Sequence, residues 1–160
     1  SGTPSEEGLY HDAEAVVRHA AGVVDRSRRP LVYWGRSLGG PVAASATRVV
    51  APDGLILVGS FAEEAAVVRG QPVLRALNLL SSYRFPTVDM LDRYDKPVLV
   101  LHGDRDSIIP QALGRELYER LRQPKRFVSI AGGDHNDLIG LDRADYWKPV
   151  LDFIVRLGEP

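Results

Sequence analysis

The sequence predicts an α/β fold, an open parallel sheet of about four strands with helices on both faces. Three observations point there. Short runs of mostly apolar residues recur, chief among them Leu31 to Trp34, Leu55 to Val58 and Val98 to Leu101. Two-residue alternation is absent from them, as expected for parallel strands covered on both sides. Stretches with helical spacing separate these runs, which is the pattern of strand–helix–strand units.

Taken in order, Ser1 to Ser5 reads as loop. Thr3, Pro4 and Glu6 resemble a helix start, with Thr3 as N-cap, Pro4 at the first position and Glu6 closing a capping box. Ser5 to Asp25 then reads as an amphipathic helix. Leu9, Ala13, Val16, Val17, Ala20 and Val24 form its apolar stripe. The strand Leu31 to Trp34 follows, and Pro41 to Val50 reads as helix. Pro52-Asp53-Gly54 signals a turn into the strand Leu55 to Val58. Ala62 to Arg69 and Pro72 to Leu80 look helical, and Ser81 to Asp95 reads as a loop with aromatic residues. Pro97 introduces the third strand, Val98 to Leu101. Gln111 to Arg122 is a helix, Lys125 to Ile130 a fourth strand, and Asp142 to Leu157 the last helix. The apolar face of that helix is expected at Trp147, Val150, Leu151, Ile154 and Val155.

Composition narrows the function classes. The 160 residues suffice for one domain over 1–160, which would bury about 70% of its unfolded surface. Lys plus Arg number 20 and Asp plus Glu 21, a balance that argues against a nucleic-acid partner. No apolar run reaches spanning length and no signal peptide is visible, so a cytoplasmic protein without a membrane span is expected. With no cysteine, the chain has no disulfide, thiolate chemistry or Cys-ligated metal.

The chemistry gathers at strand ends, where doubly wound sheets place reactive groups. Gly35-Arg36-Ser37-Leu38-Gly39 lies between the first strand and its helix. Gly35 and Gly39 lack a Cβ, so backbone can pass close on either side of a strained serine. That strain would lift the Ser37 hydroxyl above a helix N-terminus, whose N–H groups favour negative charge. After the third strand comes His102-Gly103-Asp104-Arg105-Asp106, and after the fourth Gly132-Gly133-Asp134-His135-Asn136. Serine, aspartate and histidine thus appear in that order. A serine needs a base to remove its proton, histidine suits that task, and a carboxylate fixes the imidazole tautomer. Asp104 and Asp106 are both candidates for the acid.

GRSLGG, LHGDRDSIIP and GGDHND together resemble the α/β-hydrolase superfamily, in its cap-less bacterial serine hydrolases and esterases. These include serine aminopeptidase-like and depalmitoylase-like branches, and the opening SGTPSEEGLY is similar to them as well. The resemblance covers the whole chain but only the C-terminal half of the usual fold. It implies Ser37 as nucleophile, His135 as base and Asp106 as acid, four residues after the histidine of an HG pair. The Leu38 backbone N–H is the implied oxyanion donor, and no cofactor or metal is implied. The substrate would be a small-molecule ester or thioester with a small to medium acyl group. The remaining residues have plainer readings. Asp104 makes turn hydrogen bonds, and Asp134 and Asn136 shape the turn around the base. His102 is structural, while His11 and His19 are solvated. Arg36 is either solvated or meets an acidic substrate, and Tyr83 and Phe85 line an acyl pocket or pack in the core.

The likeness to half a fold carries two expectations. The second oxyanion donor, usually supplied by a loop after the superfamily's third strand, would have to come from a partner chain or the Ser1 to Ser5 loop, and activity would be reduced without it. Leu31 to Trp34 would be an edge strand, favouring a homodimer or higher oligomer through that edge. A non-catalytic, self-associating or partner-binding remnant is the alternative reading.

Overall fold

The computed structural model describes residues 4–26, 29–64, 67, 83–140 and 143–159. Four strands form one parallel sheet in the order β1-β2-β3-β4: Val32–Arg36, Gly54–Val58, Val98–Gly103 and Lys125–Ile130. Trp34 stands opposite Ile56, Val58 opposite Leu101, and His102 opposite Ser129. All four expected strands are present. Among the described residues β1 and β4 are the edges, and every residue of β2 and β3 is buried.

Alternate side chains of the central strands serve two cores, because successive residues point to opposite faces. Leu55, Leu57, Val98 and Val100 pack with Ala44 of helix α2 (Gly39–Ala46) and with Leu117 of helix α4 (Gln111–Arg120). The short helix α3 (Thr87–Met90) and Leu91 close that side. Ile56, Val58, Leu99 and Leu101 pack on the opposite face against Tyr146, Val150 and Phe153 of helix α5 (Ala144–Leu157). Helix α1 (Glu6–Val23) lies against α2.

Several local expectations need correction. The N-cap of α1 is Ser5, whose Oγ accepts the Gly8 N–H at 3.0 Å; Thr3 lies outside the described residues. Glu6 is the first residue of α1 and not the third, the position a capping box needs. Its carboxylate accepts the Tyr10 hydroxyl (2.6 Å) and the backbone N–H groups of Arg84 (2.7 Å) and Phe85 (2.9 Å), tying α1 to the segment before α3. Only Val17 of the expected α1 stripe is buried, while Val16 is 67% exposed. On α5, Leu151 and Val155 face outward, and Tyr146 and Phe153 take the core positions instead. Helix α2 ends at Ala46 rather than Val50, and Ser81 to Asp95 contains α3 rather than being all loop. The expected helix Pro72 to Leu80 lies outside the described residues. Among the described residues, no helix is long and apolar enough to cross a membrane.

Candidate active site

The site is assembled at the carboxyl ends of β1, β3 and β4. Ser37 is the first residue after β1 and has φ +52°, a conformation rarely adopted by residues with a side chain. The turn is held on both sides. The Ser37 N–H donates to the Val58 carbonyl (2.9 Å), and its own carbonyl accepts from Gly40 N–H (3.0 Å) and the Ser60 hydroxyl (3.1 Å). Its glycines matter for close approach. A Cβ on Gly35 would overlap the Gly39 carbonyl, and one on Gly40 would overlap the Ser60 hydroxyl. The second packing glycine is therefore Gly40 and not Gly39, at which a Cβ would meet open space. Leu38 leads directly into α2, so its N–H belongs to the amino end of that helix.

Asp106 is buried in the turn after β3. Its Oδ1 accepts the N–H groups of Ile108 (3.0 Å) and Ile109 (2.7 Å). Its Oδ2 receives His135 Nδ1 at 2.7 Å, and His135 Nε2 stands 3.0 Å from Ser37 Oγ. A carboxylate oxygen only accepts, so Nδ1 carries the proton and Nε2 is left to accept from the serine hydroxyl. The structure thus brings together Ser37, Asp106 and His135, three residues spread over almost 100 positions of sequence.

The acid and base loops are stitched to one another. Asp104 Oδ1 accepts the Gly132 N–H (2.7 Å), and Arg105 N–H donates to the Gly133 carbonyl (3.1 Å). Asp134 Oδ1 accepts both the N–H (2.7 Å) and the hydroxyl (2.8 Å) of Ser107. The Ser107 backbone bond, with further hydrogen bonds behind it, holds the Asp134 carboxyl below its usual range. Asp104 is therefore a loop tie, and Asp106 is the carboxylate at the imidazole.

A second imidazole meets the same carboxylate. His102, at the end of β3, is fully buried. Its Nε2 lies 2.8 Å from the Ile109 carbonyl oxygen and 3.3 Å from Asp106 Oδ2. Both neighbours are acceptors, so Nε2 carries the proton, and Nδ1 is buried without a partner. Burial lowers the His102 pKa, outweighing the Ile109 bond and the Asp106 charge that raise it. Sequence alone gave this residue a structural place and set Asp106 four positions after it, without predicting that the two side chains meet. That spacing is its one signal.

His11 and His19 are exposed on α1, as expected. Phe85 packs with Phe61 and Ile109, while the Tyr83 hydroxyl donates to the Pro4 carbonyl (3.0 Å). Arg36 is half-buried rather than fully solvated. It donates to the His135 carbonyl and to Asn136 Oδ1. Among the described residues, no group of three or more His, Asp or Glu side chains is placed to hold a metal ion.

Known proteins give the geometry a context. No family model matches the chain. An uncharacterized protein of Mycobacterium tuberculosis is 33% identical over 155 residues, covering 97% of this chain and 54% of that protein. The alpha/beta hydrolase domain-containing protein WAV2 of Arabidopsis thaliana is 32% identical over 174 residues, covering 97% of this chain and 56% of its own length. The esterase domain of a Rhodothermus marinus protein superposes with a TM-score of 0.69 at 24% identity, over 95% of this chain and 70% of that one. The chain belongs to the α/β-hydrolase superfamily. An acetyl xylan esterase from Paenibacillus sp. R4 shares the fold with a TM-score of 0.72 at 20% identity, over 92% of this chain and 52% of that one. The chain spans about half the length of the curated relatives it matches. One similar protein, 35% identical over 98% of this chain and 57% of its own length, is called an uncharacterized membrane protein of Saccharomyces cerevisiae. In superfamily terms the four strands correspond to the C-terminal half of the usual sheet.

Proposed function

We propose that this chain carries the catalytic centre of a serine hydrolase acting on carboxylic esters or thioesters. The observation that carries the reading is the continuous relay Ser37 Oγ, His135 Nε2, His135 Nδ1, Asp106 Oδ2, with links of 3.0 and 2.7 Å. Ser37 Oγ attacks the carbonyl carbon while His135 Nε2 takes its proton. Asp106 keeps the imidazole in the required tautomer and stabilises the imidazolium. The Leu38 N–H receives the oxyanion. The tetrahedral intermediate collapses, the proton passes from His135 to the departing alkoxide or thiolate, and the acyl group stays on Ser37. Water, deprotonated by the same histidine, then attacks the acyl-enzyme, and Ser37 regains its proton as the acid leaves. The esterases among similar structures support this substrate class. A second oxyanion donor would have to come from a partner chain or from the Ser1 to Ser5 loop, and turnover without it is expected to be slow. Loss of one such donor lowers the rate roughly 100- to 1,000-fold in other enzymes.

A fluorophosphonate probe and p-nitrophenyl butyrate test the reading. The chain is expected to become labelled at Ser37 and to release p-nitrophenol, and Ser37→Ala to do neither. Equal turnover by the two proteins would refute it.

The edge strand favours a second reading, concerning assembly. Trp34 of β1 is 39% exposed, and among the described residues β1 has a strand partner on one side only. We propose that the 160-residue chain on its own pairs through this edge with a second copy of itself. Light scattering at micromolar concentration is expected to give at least a dimer mass; a monomer would overturn the proposal.

A further inference from the structure

We infer that Arg36 is a positioning residue that holds the base over the nucleophile, an inference resting on the serine-hydrolase reading above. Arg36 is the last residue of β1 and the immediate neighbour of Ser37. Strand geometry puts its side chain on the same face as that of Trp34, the α5 side, where Trp34 packs against Tyr146 and Trp147 with ring centroids 6.2 and 6.0 Å apart. From there the guanidinium reaches the histidine loop. One nitrogen, Nη2, donates both to the main-chain carbonyl of His135 and to Asn136 Oδ1, the latter at 3.1 Å.

The two halves of the relay are held differently. The Asp106–His135 half is fixed by the ties between acid and base loops, through Asp104, Arg105, Ser107 and Asp134. The Ser37–His135 half crosses from β1 to a loop 98 residues away in sequence. Arg36 ties those two, one end covalently joined to the nucleophile and the other hydrogen-bonded to the backbone of the base. Losing its donors leaves the imidazole on Asp106 but lets its Nε2 drift from Ser37 Oγ. A reacting group misplaced by about 1 Å can lower a rate on the order of 100-fold. A cation beside a serine could instead bind an anionic substrate; here the guanidinium directs two hydrogen bonds to the protein, at the His135 carbonyl and Asn136 Oδ1.

The test compares Arg36→Met, which keeps the apolar stem and removes the donors, with Arg36→Lys. Because one terminal nitrogen makes both contacts, a lysine ammonium is able to restore them. With p-nitrophenyl butyrate, Arg36→Met is expected to lower kcat about 10- to 100-fold and leave KM within about twofold, with Arg36→Lys recovering most of the loss. Hydrogen exchange of the 134–137 amides is expected to quicken in Arg36→Met and stay near wild type in Arg36→Lys. Unchanged kcat, or a raised KM with unchanged kcat, overturns the inference, the second by making Arg36 a substrate contact. A wild-type chain that neither turns over nor takes the fluorophosphonate sinks the serine-hydrolase reading and this inference with it. Unchanged exchange in Arg36→Met sinks the clamp alone.

Discussion

Two imidazoles converge on one carboxylate oxygen, from the ends of neighbouring strands, and they are not equivalent. His135 presents Nδ1 to Asp106 Oδ2 at 2.7 Å and keeps Nε2 for the serine. His102 presents Nε2 to the same oxygen at 3.3 Å and to the Ile109 carbonyl at 2.8 Å. Its remaining nitrogen faces Gly114 of α4, where even a methyl group would collide with the ring. One ring is therefore a link between two groups and the other a dead end. A histidine beside a buried carboxylate is not thereby a base; it must also own a second nitrogen that reaches the proton to be moved. In this fold the loop after β4 supplies that reach, while the strand β3 itself locks the other ring in place.

The sharpest way to break the comparison is to remove each ring in turn. His135→Ala removes the proton acceptor and is expected to lower kcat/KM by at least about 10,000-fold, as loss of the histidine does in serine hydrolases. His102→Gln keeps a donor for the Ile109 carbonyl and leaves the Ser37–His135–Asp106 relay intact. It is expected to lower kcat/KM by less than about 10-fold, a modest loss of alignment. Turnover of p-nitrophenyl butyrate by the two variants checks this. Comparable losses in both would mean that the rings share the chemistry, and the distinction drawn from their second nitrogens would fail.

The same contrast explains what the sequence could disclose. The strands were legible because Leu55 to Val58 and Val98 to Leu101 are apolar without a break, and a run buried on both faces has no phase to get wrong. The three loop tips were legible because their chemistry is local: a serine between glycines, an aspartate and a histidine each stand just beyond a strand end. Helix phase was less readable. The segment of α5 holds apolar residues on more than one side, so hydrophobicity alone did not choose Tyr146 and Phe153 over Leu151 and Val155. On α1 only Val17 finds a buried place, because the face the helix turns to α2 is a narrower strip than its composition suggests. The roles of Arg36 and His102 were illegible for another reason. The partners of Arg36, His135 and Asn136, are set by how β1 and the loop after β4 meet, which no local pattern records. Likewise nothing in His102-Gly103-Asp104-Arg105-Asp106 states that the first and last side chains turn back on one another.

The smallest expected effect concerns pH, and it isolates His102 from the chemistry altogether. Burial holds the His102 pKa below the 6.5 of an unperturbed imidazole, so the folded chain keeps this ring neutral where the unfolded chain has begun to protonate it. The unfolded state then binds more protons, and stability falls as pH is lowered through about 6.5. One proton of difference gives a slope of at most about 1.4 kcal/mol per pH unit. The loss continues downward until the folded pKa is reached. Measuring between about pH 7.5 and 5 stays clear of Asp134, whose depressed pKa makes its contribution vanish only as pH drops below its ordinary carboxyl range. Urea unfolding of wild type and His102→Gln across that window is expected to give a shallower slope for the variant. Parallel slopes would mean that His102 takes up its proton as readily in the fold as out of it, and the dead-end ring would have to be redrawn as a titrating partner of Asp106.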